Sequence, residues 1–252
     1  MKRALLSVLF AISLLVPVSV AWARPLEPAY DCSHGCSRTQ EWPGTTYGVY
    51  SQYTVSNPGL HDVQGMWFRE ILLYNGTFSQ LFLGVTKSNT YINALCGVGL
   101  YYIAYLATNT TKDLKCAQVP GGDINQESRF QVNPYVSNGG GMLVQIWNGV
   151  GVNRITDYIS YADGAPRNFS KIDLQEIMAD TISGHEVWGS EWQQNDWVQG
   201  NGHFVAQTVK GTQSGGVPPQ MYWNVPPSPN YPGGDLYSCD YDSTSNQCTL
   251  NG

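Results

Sequence analysis

Residues 64–107 read QGMWFREILLYNGTFSQLFLGVTKSNTYINALCGVGLYYIAYLA, three aromatic-rich or alternating runs separated by Asn, Gly and Thr punctuation. Runs of this length and spacing are strands of an antiparallel sandwich or barrel, because turn residues interrupt them before a helix could bury a face. The same rhythm continues outward. Strands are expected at 47–55, 64–73, 78–86, 99–107, 128–135, 142–147, 154–161, 186–193 and 203–210, with a short one at 220–225 inside a Pro- and Gly-rich coil. One segment reads as a helix: in KIDLQEIMADT, 171–181, Leu174, Ile177, Met178 and Thr181 share a face at helical spacing. The expected fold is an all-β, jelly-roll-like antiparallel β-sandwich with that one short helix.

The N-terminus opens with Lys2 and Arg3, an apolar run and Ala21-Trp22-Ala23, the layout of a signal peptide cleaved after residue 23. The apolar run is too short to span a bilayer, and no later window is apolar enough, so export without membrane insertion is expected. The division expected is 1–23 signal peptide, 24–45 an N-terminal segment, and 46–252 the sandwich. Cleavage reduces 13 basic residues to 11 against 19 acidic ones, a balance that gains nothing from phosphate backbones and excludes nucleic acid as a partner. Charged residues are 13% of the chain, about half the usual share, and aromatics 12%, a composition suited to a secreted β protein acting as a monomer.

Six cysteines in an oxidising compartment favour disulfides, and loop economy pairs them sequentially: Cys32 with Cys36, Cys96 with Cys116, Cys239 with Cys248. No second ligand pair accompanies Cys32-x3-Cys36 at zinc spacing, so no metal is expected. The chain lacks a Gly-x-Ser-x-Gly elbow, a His-Glu-x-x-His pair and a phosphate-binding glycine loop. Four histidines leave a Ser-His-Asp triad arithmetically open, yet no serine stands in a nucleophile-like setting.

The run HEVWGSEWQQNDW, 185–197, sets Glu191 between Trp188 and Trp192. A carboxylate among tryptophans tends to have its pKa raised, as a general acid or base requires; an edge-strand glutamate pointing to water fits the same letters. In FSQLFLGVT, 78–86, Phe78, Gln80, Phe82 and Gly84 share one face, where Gln80 reads as a catalyst or as a satisfied structural amide.

The order of several motifs resembles the neprosin-type glutamic peptidases: Tyr47-Gly48-Val49, Trp188-Gly189-Ser190-Glu191, Gly200-Asn201-Gly202-His203-Phe204, and the cysteine-bearing end at Cys239 and Cys248. The collinear set, from about Tyr47 to Cys248, carries the resemblance. It implies a sandwich with a cleft across one sheet, where two side chains serve a bound water and no cofactor is needed. Glu191 matches one family glutamate. Phe82 stands where the other is expected, two residues before Gly84, and Gln80 lies two residues earlier on the same face. Fungal glutamic peptidases use a Gln and Glu pair in a similar sandwich, so the resemblance implies either a Gln80 and Glu191 variant or a sandwich without activity. In the active reading the chain is a secreted endopeptidase whose peptide or protein substrates include proline-containing ones. Glu191 activates water, Gln80 donates to the oxyanion, and Tyr102, Trp147 and Trp188 wall the groove or, read singly, belong to the core. The other reading is a non-catalytic carbohydrate- or surface-binding sandwich, for which the 8 Trp and 16 Tyr supply stacking platforms.

Overall fold

The computed structural model describes residues 30–60, 62–76, 79–91, 94–135, 140–182, 191–198, 204–206, 212–214, 220–224, 235–242 and 247–250, with side chains between Gly44 and Ile177. Among the described residues, sixteen strands form two antiparallel sheets. In chain order they are β1 (Tyr30–Thr46), β2 (Gly48–Thr54), β3 (Met66–Asn75), β4 (Ser79–Ser88), β5 (Gly99–Ala107), β6 (Lys112–Gln118), β7 (Glu127–Tyr135) and β8 (Gly141–Asn148). After these come β9 (Asn153–Ser160), β10 (Phe169–Ile182), β11 (Glu191–Val198), β12 (Phe204–Ala206), β13 (Thr212–Ser214), β14 (Gln220–Asn224), β15 (Asp235–Asp242) and β16 (Gln247–Leu250). The seven-stranded sheet runs β13-β1-β10-β3-β4-β5-β6, and the nine-stranded sheet runs β14-β15-β11-β2-β7-β8-β9 with β12 and β16 attached. Helix among the described residues is limited to single 3-10 turns at Gly121–Asp123 and Tyr161–Asp163, so the all-β sandwich stands.

Period-two alternation explains how the sheets meet. Trp67, Ile71 and Leu73 of β3, Leu81, Leu83 and Val85 of β4, and Tyr102 and Leu106 of β5 turn to one side. There they pack with Tyr53, Phe130, Val132, Val144 and Ile146 of the other sheet in one buried core. Arg69 joins them at 0% exposure, its guanidinium 5.3 Å from the Trp67 ring and 5.8 Å from that of Tyr53, while the Tyr53 hydroxyl donates to the Arg69 carbonyl. Burial pushes the Tyr53 phenol well above its ordinary pKa, so it stays a neutral donor.

A second polar device crosses the core. The buried Asp123 accepts from Tyr102 Oη at 2.9 Å, from Asn148 Nδ2 at 2.9 Å, and from both Nε and Nη2 of Arg154 at 2.8 and 2.9 Å. Burial pushes its carboxyl up, but the hydrogen bonds from Arg154, Asn148 and Tyr102 outweigh that and hold it below its ordinary value.

One expectation is corrected. The helix at 171–181 is part of β10, a strand between β1 and β3, with Leu174 opposite Ile71 and Ile172 opposite Leu73. Its helical spacing is coincidental: Ile172 and Leu174 face the core, whereas Lys171, Asp173 and Gln175 occupy the other face. Within the expected 24–45 segment, the described residues from Tyr30 onward belong to β1, which pairs with β10. The Cys96–Cys116 disulfide forms as expected, with Cα atoms 5.6 Å apart. The side chains of Cys32, Cys36, Cys239 and Cys248, and the expected signal peptide 1–23, lie outside the described residues.

Asp123→Ala should destabilise the protein by about 3 to 5 kcal/mol, because Arg154 is left without its partner at the core margin. Denaturant unfolding checks this, with Tyr102→Phe, which removes only one of the four donors to Asp123, expected to cost about 1 kcal/mol.

Candidate active site

On the face of the seven-stranded sheet turned away from the core, the register arranges side chains in rows. Lys171, Tyr74, Gln80 and Ala107 form one; Asp173, Leu72, Phe82 and Tyr105 the next; Gln175, Glu70, Gly84 and Ile103 the third. Leu72, Phe82 and Ile103 make a separate small apolar cluster, flanked by Tyr74, Tyr105 and Cys96, and the Phe82 and Tyr105 rings tilt together at 5.1 Å. Cys116 pairs with Ile103, so the Cys96–Cys116 disulfide ties the loop before β5 against this face.

Glu70 sits beside that cluster at 6% exposure. Gln175 Nε2 donates to its Oε1 at 2.6 Å across the β3–β10 pair. Burial pushes the Glu70 carboxyl up to about 7, the Gln175 hydrogen bond pulling weakly the other way. A carboxyl that changes charge near neutrality, held by a side-chain amide, is the equipment of general acid–base chemistry with an oxyanion donor. In the row above, Lys171 Nζ lies 3.0 Å from Asp173 Oδ2 and 4.4 Å from the centre of the Tyr74 ring.

Gly84 faces Glu70 from β4 for a steric reason. A Cβ there would overlap the Arg69 carbonyl oxygen and come within 2.8 Å of Glu70 Cα, so the two strands approach closely where the carboxyl is anchored.

The residues expected from sequence are placed differently. Gln80 is exposed on this same face, opposite Tyr74, and does share it with Phe82 and Gly84. Glu191 begins β11, opposite Tyr237 in the nine-stranded sheet. Gln80 and Glu191 thus belong to different sheets, with Gln80 on the face turned from the other sheet, and the fold does not bring this pair together. Tyr102 is 0% exposed, its hydroxyl shared with Asp123 and Ser128, so it is a core residue and no groove wall. Trp147 is half-buried in β8, opposite Arg129. Trp188 and His203 lie outside the described residues.

Sequence reasoning missed Glu70 and Gln175. The signal for Glu70 was present: Phe68, Glu70 and Leu72 alternate with Trp67, Arg69 and Ile71, placing a lone carboxyl on an apolar face. Gln175 was hidden by the helical reading of its segment.

Comparison with solved structures finds the same architecture in glutamic peptidases. A Scytalido-glutamic peptidase, solved with a peptide-based transition state analogue, superposes with a TM-score of 0.51 at 8% identity, over 85% of this chain and 100% of that one. SCP-B, a member of the Eqolisin family in complex with the tripeptide Ala-Ile-His, gives a TM-score of 0.47 at 8% identity over the same shares. No family model matches the chain, and no curated protein matches it in sequence. The fold is therefore a glutamic-peptidase-like sandwich.

Glu70 is the more easily protonated in the fold, rising from 4.5 to about 7. The stability it contributes is complete below the unfolded value and is lost as pH rises through about 7. Thermal unfolding should record a loss of roughly 3 kcal/mol across that window. Glu70→Gln, which mimics the protonated form, should remove that part of the slope and stabilise the protein at pH 8.

Proposed function

We propose that this chain is a peptidase of the glutamic type that hydrolyses peptide bonds at Glu70 and Gln175. The observation that carries the reading is a buried Glu–Gln contact at 2.6 Å on one sheet face of a glutamic-peptidase-like sandwich. In the proposed reaction Glu70, as carboxylate, takes a proton from a water whose oxygen attacks the scissile carbonyl carbon. Gln175 turns an amide N–H to the developing oxyanion. The carbonyl re-forms as the C–N bond breaks, and Glu70 returns its proton to the departing amine. Nothing is oxidised or reduced. With its carboxyl raised to about 7, Glu70 is the ionised base above that pH and holds its proton below it.

Secretion, a neprosin-type kinship and a preference for proline-containing peptides belong to the same proposal; the first rests on the signal-peptide layout of residues 1–23, the other two on the motif order in the sequence. Glu191 remains the rival base, supported by its match to the Trp-x-x-Glu strand of that family.

The test is hydrolysis of casein and of proline-rich peptides by purified protein between about pH 2 and 8. Glu70→Gln should abolish turnover, and Gln175→Ala should lower kcat by about two to three orders of magnitude. Glu191→Gln should leave kcat within about threefold of the wild type, a change of under 1 kcal/mol. Full activity in Glu70→Gln with loss in Glu191→Gln would transfer the base to β11. A wild type that cuts no peptide but binds glycans would replace the peptidase reading with the carbohydrate-binding one.

A further inference from the structure

The outer face that carries Glu70 is partly roofed by a loop whose hold on the protein is covalent. The row Gln175, Glu70, Gly84, Ile103 continues to Cys116 of β6, an edge strand of the seven-stranded sheet. Cys116 is exposed, and its disulfide reaches back to Cys96 in the loop before β5, which packs on Leu72, Phe82 and Ile103. Gly97, with φ at +133°, brings the next stretch of backbone against the same face: a Cβ there would lie 3.2 Å from Tyr101 Oη. Little else holds this loop. Leu95 and Val98 are 47% and 40% exposed, so neither anchors it by burying much apolar surface. Among the described residues, none exchanges a hydrogen bond with residues 94–98. Beneath the loop, Leu72, Phe82 and Ile103 are no more than 8% exposed.

We infer that the Cys96–Cys116 disulfide is a reducible clasp that keeps residues 94–98 seated on the outer apolar cluster, so that a dithiol reductant frees the loop and bares Leu72, Phe82 and Ile103 beside Glu70. The inference does not depend on the peptidase reading. A thiolate of the reductant attacks one sulfur of the bond and the other leaves; the second thiol of the reductant then displaces the sulfur first attacked. Cys96 and Cys116 end as thiols, each with a proton, and the dithiol as a disulfide. The exposed place of Cys116 on an edge strand admits that attack while the sandwich stays folded. With the clasp closed the cluster is shielded from any ligand. With it open, the same side chains form an apolar bed next to the carboxyl.

Hydroxyl-radical labelling of the folded full chain, read by mass spectrometry, reports the exposure of each side chain. On treatment with dithiothreitol, labelling of Phe82 should rise by about threefold or more, while that of Tyr102, which faces the core from β5, stays at its starting level. Cys96→Ser combined with Cys116→Ser should show the raised Phe82 labelling without reductant and no further rise with it, which separates this bond from reduction of the other cysteines. Should that variant not fold, the reduced wild type decides by the same comparison of Phe82 with Tyr102. Unchanged Phe82 labelling overturns the clasp, as does a bond that resists the dithiol in the folded chain. Equal rises at Phe82 and Tyr102 overturn it too, because they mark a brace for the whole sandwich and not a hold on one loop.

Discussion

Two-residue alternation along β3 governs what this molecule can be. Trp67, Arg69, Ile71 and Leu73 are committed to the space between the sheets, so Phe68, Glu70, Leu72 and Tyr74 are committed to the opposite face. A one-residue slip of the strand would place Glu70 in the core and Arg69 outside it, losing both the packing and the Gln175 contact. The carboxyl is therefore positioned by the hydrophobic core behind it. Its neighbours follow from the register: β10 supplies the amide, β4 a glycine where a side chain would collide with the backbone, and β5 the floor at Ile103.

Electrostatics sorts two buried carboxyls among the described residues, Asp123 and Glu70, into two kinds. Asp123 is met by an arginine fork, an amide and a phenol, and its charge is held more firmly than in water. Glu70 has one neutral amide, so burial wins and it holds its proton unusually well. The first kind fixes architecture at every ordinary pH. The second kind makes charge state, and hence local behaviour, depend on the medium.

Much of the fold was legible because it rests on period and punctuation. The expected strands at 64–73, 78–86, 99–107, 128–135, 142–147 and 154–161 fall on β3, β4, β5, β7, β8 and β9 within a few residues. β6 was missed because KDLKCAQ is a charged edge strand whose apolar contacts are few, and β1 because its Gly and Pro read as loop. β10 was misread because its outer face is polar where the site lies, which left too few apolar positions to show a period of two. A Glu–Gln pair was expected from the resemblance, but the pair that the register brings into contact, Glu70 and Gln175, was not the one named. Pairing across strands 105 residues apart in sequence is set by sheet order, and strand order leaves no local trace in the letters.

The Asp123 cluster draws Tyr102 from one sheet, and Asn148 and Arg154 from the other, onto two oxygen atoms. An apolar core of this kind resists separation of its layers far better than it resists sliding, since contacts among branched side chains re-form after a small lateral step. Lone pairs do not permit that step. Three bonds moor Asp123 to the nine-stranded sheet and the Tyr102 hydroxyl moors it to the seven-stranded one, so the carboxylate acts as a dowel through a laminate and a lateral step of one sheet past the other must break the Tyr102 bond.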